Sequence, residues 1–177
     1  MLSLHGSRCI PGGGRRNDRG VRASEIRKPA IAKTSNVDLQ ERNTMSDSNA
    51  KKNTAIVLEA FDTLFNKRDY TAAERFWSPN YIQHSAHIEP GRDGLFNLVK
   101  AAPPSFKYEH GLIVAEGDYV IVHGRFSNIG LPVNWIAADV VRLKDGILVE
   151  HWDVIQDEAT EQQSKSGNPM FGDSFPK

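Results

Sequence analysis

The spacing of apolar residues along this chain switches at Pro103-Pro104, and that switch limits the fold more than any motif does. Before it, Ile56, Val57, Ala60, Phe61, Leu64 and Phe65 recur at three- and four-residue steps, which predicts an amphipathic helix from Asn53 to Asn66. Asp69-Tyr70-Thr71 reads as the start of a short second helix through Ala72, Ala73 and Phe76 to Trp77, stopped by Pro79. Tyr81-Ile82-Gln83-His84 is a brief extended piece leading into a polar loop. Gly91-Arg92-Asp93-Gly94 then opens a third helix with Leu95, Leu98, Val99 and Ala102 on one side. Beyond the prolines the period becomes two. Phe106, Tyr108, His110, Leu112 and Val114 alternate with mostly polar partners up to the turn at Glu116-Gly117-Asp118. Residues 119–128, 133–143 and 147–155 follow as three more strands. Three helices followed by an antiparallel meander of at least four strands predict an α+β fold, the helices covering one face of a curved sheet.

Charge is unevenly placed along the 177 residues although the formal net charge is zero. Residues 1–44 hold nine Lys+Arg against four Asp+Glu, and the remainder holds thirteen against eighteen, a balance of +5 against −5. A mildly acidic folded part argues against nucleic acid as a partner. No apolar run approaches the roughly 20 residues of a membrane span, and the expected location is cytoplasmic. The single cysteine, Cys9, lies in the basic leader, so neither a core disulfide nor thiolate catalysis is expected. The expected division is a disordered leader over 1–49, a domain over 50–156 and a tail over 157–177. The leader supports three readings: a presequence, a basic interaction arm, or residues preceding a true start at Met45.

The chemistry-bearing residues gather at the last hairpin. With Leu143 opposite Ile147 across Lys144-Asp145-Gly146, Asp139 faces His151 and Ala137 faces Asp153. Alternation then puts Asp139, His151 and Asp153 on one side of the sheet together with Trp135, Val141, Ile147 and Val149. That side should be the buried one. Two carboxylates and an imidazole on an apolar face are costly unless they are paired or used.

Several strings resemble the SnoaL-like polyketide cyclase family of the nuclear transport factor 2-like superfamily, in particular a branch described as predicted aldol-condensation enzymes. They are Tyr81-Ile82-Gln83-His84, Gly91-Arg92-Asp93-Gly94, Ala115-Glu116-Gly117-Asp118 with Val120-Ile121-Val122-His123, Glu150-His151-Trp152-Asp153, and Gly167-Asn168-Pro169-Met170-Phe171. The resemblance implies a conical pocket between sheet and helices, a homodimer packed through the sheet, and acid/base chemistry with neither metal nor cofactor. It places the acid/base at Asp153, and it puts Asp139 where the cyclases carry a histidine.

The resulting expectation is a cofactor-independent enzyme acting on a small carbonyl compound, by aldol-type condensation, cyclisation or isomerisation. Asp153, His151 and Asp139 are the candidate catalytic residues, with His84, His123, Tyr81, Trp135 and Trp152 at the substrate. Two alternatives stand beside it: a binding or dimeric scaffold module without turnover, and a small ester or epoxide hydrolase. Each residue also has a bland reading. Asp139 and His151 could be a structural pair, and the aromatic residues mere pocket wall. His84, His87 and Glu89 have a metal-like spacing, but in a loop that suits zinc poorly. His110 is expected opposite His123, and Arg125 in an ion pair or at the dimer surface. Met170 and Phe171 are expected to close the cavity at its rim or against a second copy.

Overall fold

A computed structural model describes residues 36–176. Helix α1 (Asn36–Phe61) widens at its end into a π-helical turn, Asp62–Asn66. It is followed by α2 (Tyr70–Ala73), β1 (Trp77–Gln83), α3 (Gly91–Ala101), β2 (Lys107–Glu116), β3 (Tyr119–Ser127), β4 (Trp135–Lys144) and β5 (Ile147–Asp157). The strands form one sheet in the order β1-β5-β4-β3-β2. This is the expected α+β architecture, helices against a curved sheet. Among the described residues, no helix is long and apolar enough to cross a membrane.

The first helix starts at Asn36, well ahead of the expected Asn53. Residues 47–49, 51 and 52 are exposed, so periodicity of buried apolar residues could not reveal this part of the helix. From Asn53 onward the helix is bound to the sheet, and the Asn53 amide donates to the Gly117 carbonyl at 3.0 Å. Val57, Ala60, Phe61, Leu64 and Phe65 are buried, as their spacing requires. Phe61 and Phe65 meet Tyr108 with ring centroids 5.5 and 5.3 Å apart. Expectations about the leader up to residue 35 lie outside the described residues.

Asp69 caps α2 as its residue type suggests, accepting from the Ala72 N–H at 3.0 Å. The helix ends at Ala73, however: residues 74–76 form a turn, and Trp77, expected as the last helical residue, opens the strand β1, which runs on through the piece expected to be extended. Pro79 is tolerated there because β1 lies at the sheet edge, pairs in parallel with β5, and breaks register between Trp77 and Ile82. The sheet is therefore five-stranded and mixed, with the expected meander as four of its members.

The last hairpin differs from its expected register by two residues, for two separate reasons. Asp145 and Gly146, at φ of 53° and 79°, form a two-residue turn, which pairs Lys144 with Ile147. A bulge then leaves Val149 extra between the pairs Leu143–Leu148 and Arg142–Glu150. Asp139 consequently faces Asp153, and Val141 faces His151. Two single steps restore parity, so the three candidate side chains stay on one face. Near the turn the correction shows: Leu148 is fully buried, whereas Ile147 and Val149 are only half-buried. A tight turn and a bulge act likewise on β2 and β3, where His110 faces Gly124 rather than His123. Gly124 is required there, because a Cβ would lie 2.7 Å from the Tyr108 ring.

Gly94 ties α3 to the preceding loop. A Cβ at this position would lie 2.0 Å from the Glu89 carbonyl oxygen, a contact no rotamer can relieve. Gly94→Ala should therefore lower the melting temperature, against the roughly 1 kcal/mol that alanine normally gains over glycine inside a helix. A thermal melt showing stabilisation would contradict this packing.

Candidate active site

A cavity of ≈ 240 Å³ lies between the helices and the sheet. Its walls are apolar, with Phe61 and Phe65 from the first helical segments, Leu95 and Val99 from α3, and Phe126, Trp135 and Ile155 from the sheet. Ile129 and Leu131 come from the β3–β4 loop, and His87 and Ile88 from the loop before α3. Asp139, His151 and Asp153 also line it, forming a carboxylate–imidazole–carboxylate group in an otherwise hydrophobic space.

The neighbouring strands β1, β5 and β4 place these groups in a row. Gln83 on β1 pairs with His151 on β5, and Asp139 on β4 pairs with Asp153 on β5. His151 Nε2 lies 3.1 Å from Asp139 Oδ1, and its Nδ1 lies 2.8 Å from Gln83 Oε1. Asp139 and His151 are only 4% and 6% exposed, so the contact between them is shielded from water. Asp153 is half-buried, and among the described residues no protein group donates a hydrogen bond to it. Its lone pairs are left to the cavity.

Burial pushes the Asp139 carboxyl above its ordinary value, its hydrogen bond to His151 pulls it back, and the Asp153 charge raises it further. Burial also raises the phenols of Tyr81 and Tyr108 far above the usual value, so both remain neutral. Asp139 Oδ2 and the Tyr108 hydroxyl are buried without a hydrogen-bond partner. An orphan carboxylate oxygen bordering a cavity is a natural point for a ligand to donate to.

Asp139, His151 and Asp153 are also the one group of three possible ligating side chains among the described residues, their atoms within 4.8 Å of one another. A small divalent cation could bridge that spacing. The 3.1 Å contact between Nε2 and Oδ1 is also within hydrogen-bond distance.

Of the other candidates, Tyr81 and Trp135 line the cavity as expected. His84 and Trp152 do not. Their rings stack on each other at 4.8 Å and 1° on the outer face of the sheet, beside Glu150 and Arg142. His84 Nε2 lies 2.9 Å from Glu150, and with Arg142 it holds the Glu150 carboxyl below its usual range. His87 packs instead against Trp135, so His84, His87 and Glu89 do not converge. His123 lies on the outer face against Phe171, ring centroids 5.5 Å apart. The same residue explains the tail. Arg125 pairs with the buried Glu158 and covers the Phe171 ring at 4.8 Å, so the tail docks on the outer face and does not close the cavity. The residue that sequence reasoning passed over is Gln83. Tyr81 points inward, so alternation along β1 sends Gln83 inward and His84 outward; the signal was present once the segment was known to be a strand.

The family model of SnoaL-like polyketide cyclases matches residues 55–164, more than half of the chain. The chain belongs to this family. At family level, membership supports a cofactor-independent enzyme acting on small molecules. Among solved structures, AclR of Streptomyces galilaeus, described as a candidate hydroxylase, is 26% identical with a TM-score of 0.51, covering 60% of this chain and 90% of that one. A candidate ketosteroid isomerase of Kribbella flavida is 13% identical with a TM-score of 0.53, covering 63% and 82%. An LEH-like epoxide hydrolase of M. tuberculosis is 15% identical with a TM-score of 0.50, covering 67% and 90%. The last two, at such identities, share the fold with this SnoaL-like protein. A comparison with curated protein sequences found no match.

A raised carboxyl pKa in the folded state has a definite linkage sign. The ionised form is disfavoured by folding, so the cost is absent below the unfolded value of roughly 3.9 and grows as pH rises through the folded value. Asp139→Asn should thus stabilise the protein at neutral pH, with the gain shrinking as pH falls toward about 4. Urea titrations at the two pH values check this. A loss of stability at neutral pH would mean that the pair with His151 outweighs burial.

Proposed function

We propose that this SnoaL-like protein catalyses proton transfer on a small neutral carbonyl compound, leading to aldol-type condensation, cyclisation or isomerisation. The observation that carries the reading is the convergence of Asp139, His151 and Asp153 at one place in a cavity whose other walls are mostly apolar. Asp153, with its lone pairs free, is the base. It removes a proton from the carbon next to the carbonyl, and the C–H electrons move onto the carbonyl oxygen to give an enolate. The proton shared by His151 and Asp139 steadies that oxygen by hydrogen bonding and stays with the pair, so that Asp153 alone carries the transferred proton. The enolate carbon then either attacks a second carbonyl, with Asp153 returning its proton to the new alkoxide, or takes the proton back at another carbon. General acid–base catalysis of this kind contributes about 10²–10⁴-fold.

The same cavity supports a substrate class. Among the described residues it has no Lys or Arg in its lining, while Asp153 would repel an anionic ligand. A cavity of about 150 Å³ accommodates benzene. At ≈ 240 Å³ there is room for roughly ten non-hydrogen atoms. A compact ketone or enone, without phosphate or carboxylate, fits both limits.

Turnover of a ketone found by screening should fall about 10²–10⁴-fold in Asp153→Asn, with little change in ligand affinity, because the walls are untouched. His151→Gln should lose less. Full activity in Asp153→Asn together with loss in Asp139→Asn would move the base one strand inward. Ligand binding without turnover of any carbonyl compound would favour a binding module.

We also propose that two copies pack through the outer sheet face. Leu112 and Val154 are 70% and 74% exposed there, with Val114 and Ile121 beside them, and apolar side chains so placed call for cover. Sedimentation should give about twice the 19.7 kDa chain mass at micromolar concentration. Val154→Lys should shift the protein to monomer; a wild type that is already monomeric contradicts the proposal.

A further inference from the structure

Gln83 lies behind the proposed active site and does not line the cavity, yet its amide oxygen carries two contacts. The Ser85 backbone N–H donates to Gln83 Oε1 at 2.9 Å. A backbone N–H can only donate, so the atom it meets is the amide oxygen, and the orientation of the side chain is fixed by this contact. His151 Nδ1 lies 2.8 Å from that same oxygen. An amide oxygen has no hydrogen to give, so Nδ1 must carry the proton. With Nδ1 protonated, Nε2 of a neutral ring has a lone pair aimed at Asp139 Oδ1, 3.1 Å away. Two facing lone pairs repel, and burial makes the repulsion stronger. One further proton therefore lies between the two atoms, whichever of them holds it.

We infer that Gln83 is a positioning residue: by accepting from Nδ1 it fixes the tautomer of His151, so that Nε2 and Asp139 share one proton and Asp153 is left as the anionic base. The catalytic use of this arrangement rests on the acid/base reading above, whereas the tautomer does not. The shared proton makes the His151–Asp139 pair neutral overall. Asp153, opposite Asp139 on the next strand, then carries the only full negative charge at this end of the cavity. Without it, two like charges would stand directly across a strand pair, an arrangement that disfavours ionisation of both. The other titratable groups around the pair are Tyr81 on β1, Tyr108 on β2 and His87 at the cavity wall. Both phenols stay neutral, so they leave the division between the carboxylates in place.

The test reads His151 directly by long-range ¹H–¹⁵N correlation on histidine-labelled protein, the His151 signals being those lost in His151→Gln. Full-length wild type should show Nδ1 protonated and Nε2 in a hydrogen-bonded, partly protonated environment across the neutral range. Gln83→Glu keeps an oxygen that accepts from both Nδ1 and Ser85, and should preserve that signature. Gln83→Leu removes the acceptor and should change the tautomer. If a substrate is in hand, the acid limb of its kcat/KM profile should move to higher pH in Gln83→Leu, because Asp139, ionised beside a neutral His151, then places a second negative charge opposite Asp153. A bare Nδ1 in wild type would overturn the inference, as would an unchanged His151 signature in Gln83→Leu. Stoichiometric capture of Zn²⁺ by metal-free wild type, with displacement of the His151 Nε2 signal, would put a cation where the proton is placed and overturn it equally. The NMR and Zn²⁺ readouts do not depend on turnover, so the tautomer can fail while the acid/base function stands, and the reverse.

Discussion

A carboxylate survives in an apolar interior only when something shares its charge, and here the sharing is done by the hydrogen bond between Asp139 and His151. Much of the site can be understood from that contact. It lets Asp139 sit directly opposite Asp153 on the two central strands of the cavity floor. It leaves Asp153 open to the cavity, and it needs a third group, Gln83, to hold the imidazole in place. Because the walls around it are hydrocarbon, charge within this group is poorly screened, and burial holds the Asp139 carboxyl above its ordinary value.

The hairpin shows why the face of the site was readable from sequence while its pairing was not. Periodicity of two reports which side a residue occupies, so Asp139, His151 and Asp153 were correctly placed together from alternation alone. Register depends on the turn and on bulges, which side-chain patterning does not encode. Asp145-Gly146 fits a two-residue turn once both positive φ values are known, and the extra Val149 has no sequence mark distinguishing it from its neighbours. The two errors cancelled in parity, which is why Leu148 replaced Ile147 and Val149 in the core while the three polar groups stayed inside.

What escaped the sequence reading came mostly from β1. Pro79 made Trp77 look like the end of a helix, and Tyr81–His84 read only as a brief extended piece, whereas an edge strand tolerates the proline and runs from Trp77 to Gln83. That misreading drew attention to His84 in place of Gln83. The outer face was likewise hidden: Trp152, His123 and Phe171 are aromatic residues of the kind that line pockets, and only the folded sheet shows that they lie on its far side. The fold class was more legible, since the switch of period at Pro103-Pro104 survives every local error, and membership of the SnoaL-like family agrees with it.

The central claim is that this cavity removes a proton from carbon, and isotope exchange tests it without knowledge of the physiological product. Small neutral ketones incubated with the protein in D₂O should lose the NMR signal of their α-protons faster than in buffer. The exchange should vanish in Asp153→Asn and persist in a variant of the outer face such as His84→Gln. If no neutral ketone that binds in the cavity exchanges faster than in buffer, Asp153 is not a carbon-acid base and the enzymatic reading is wrong.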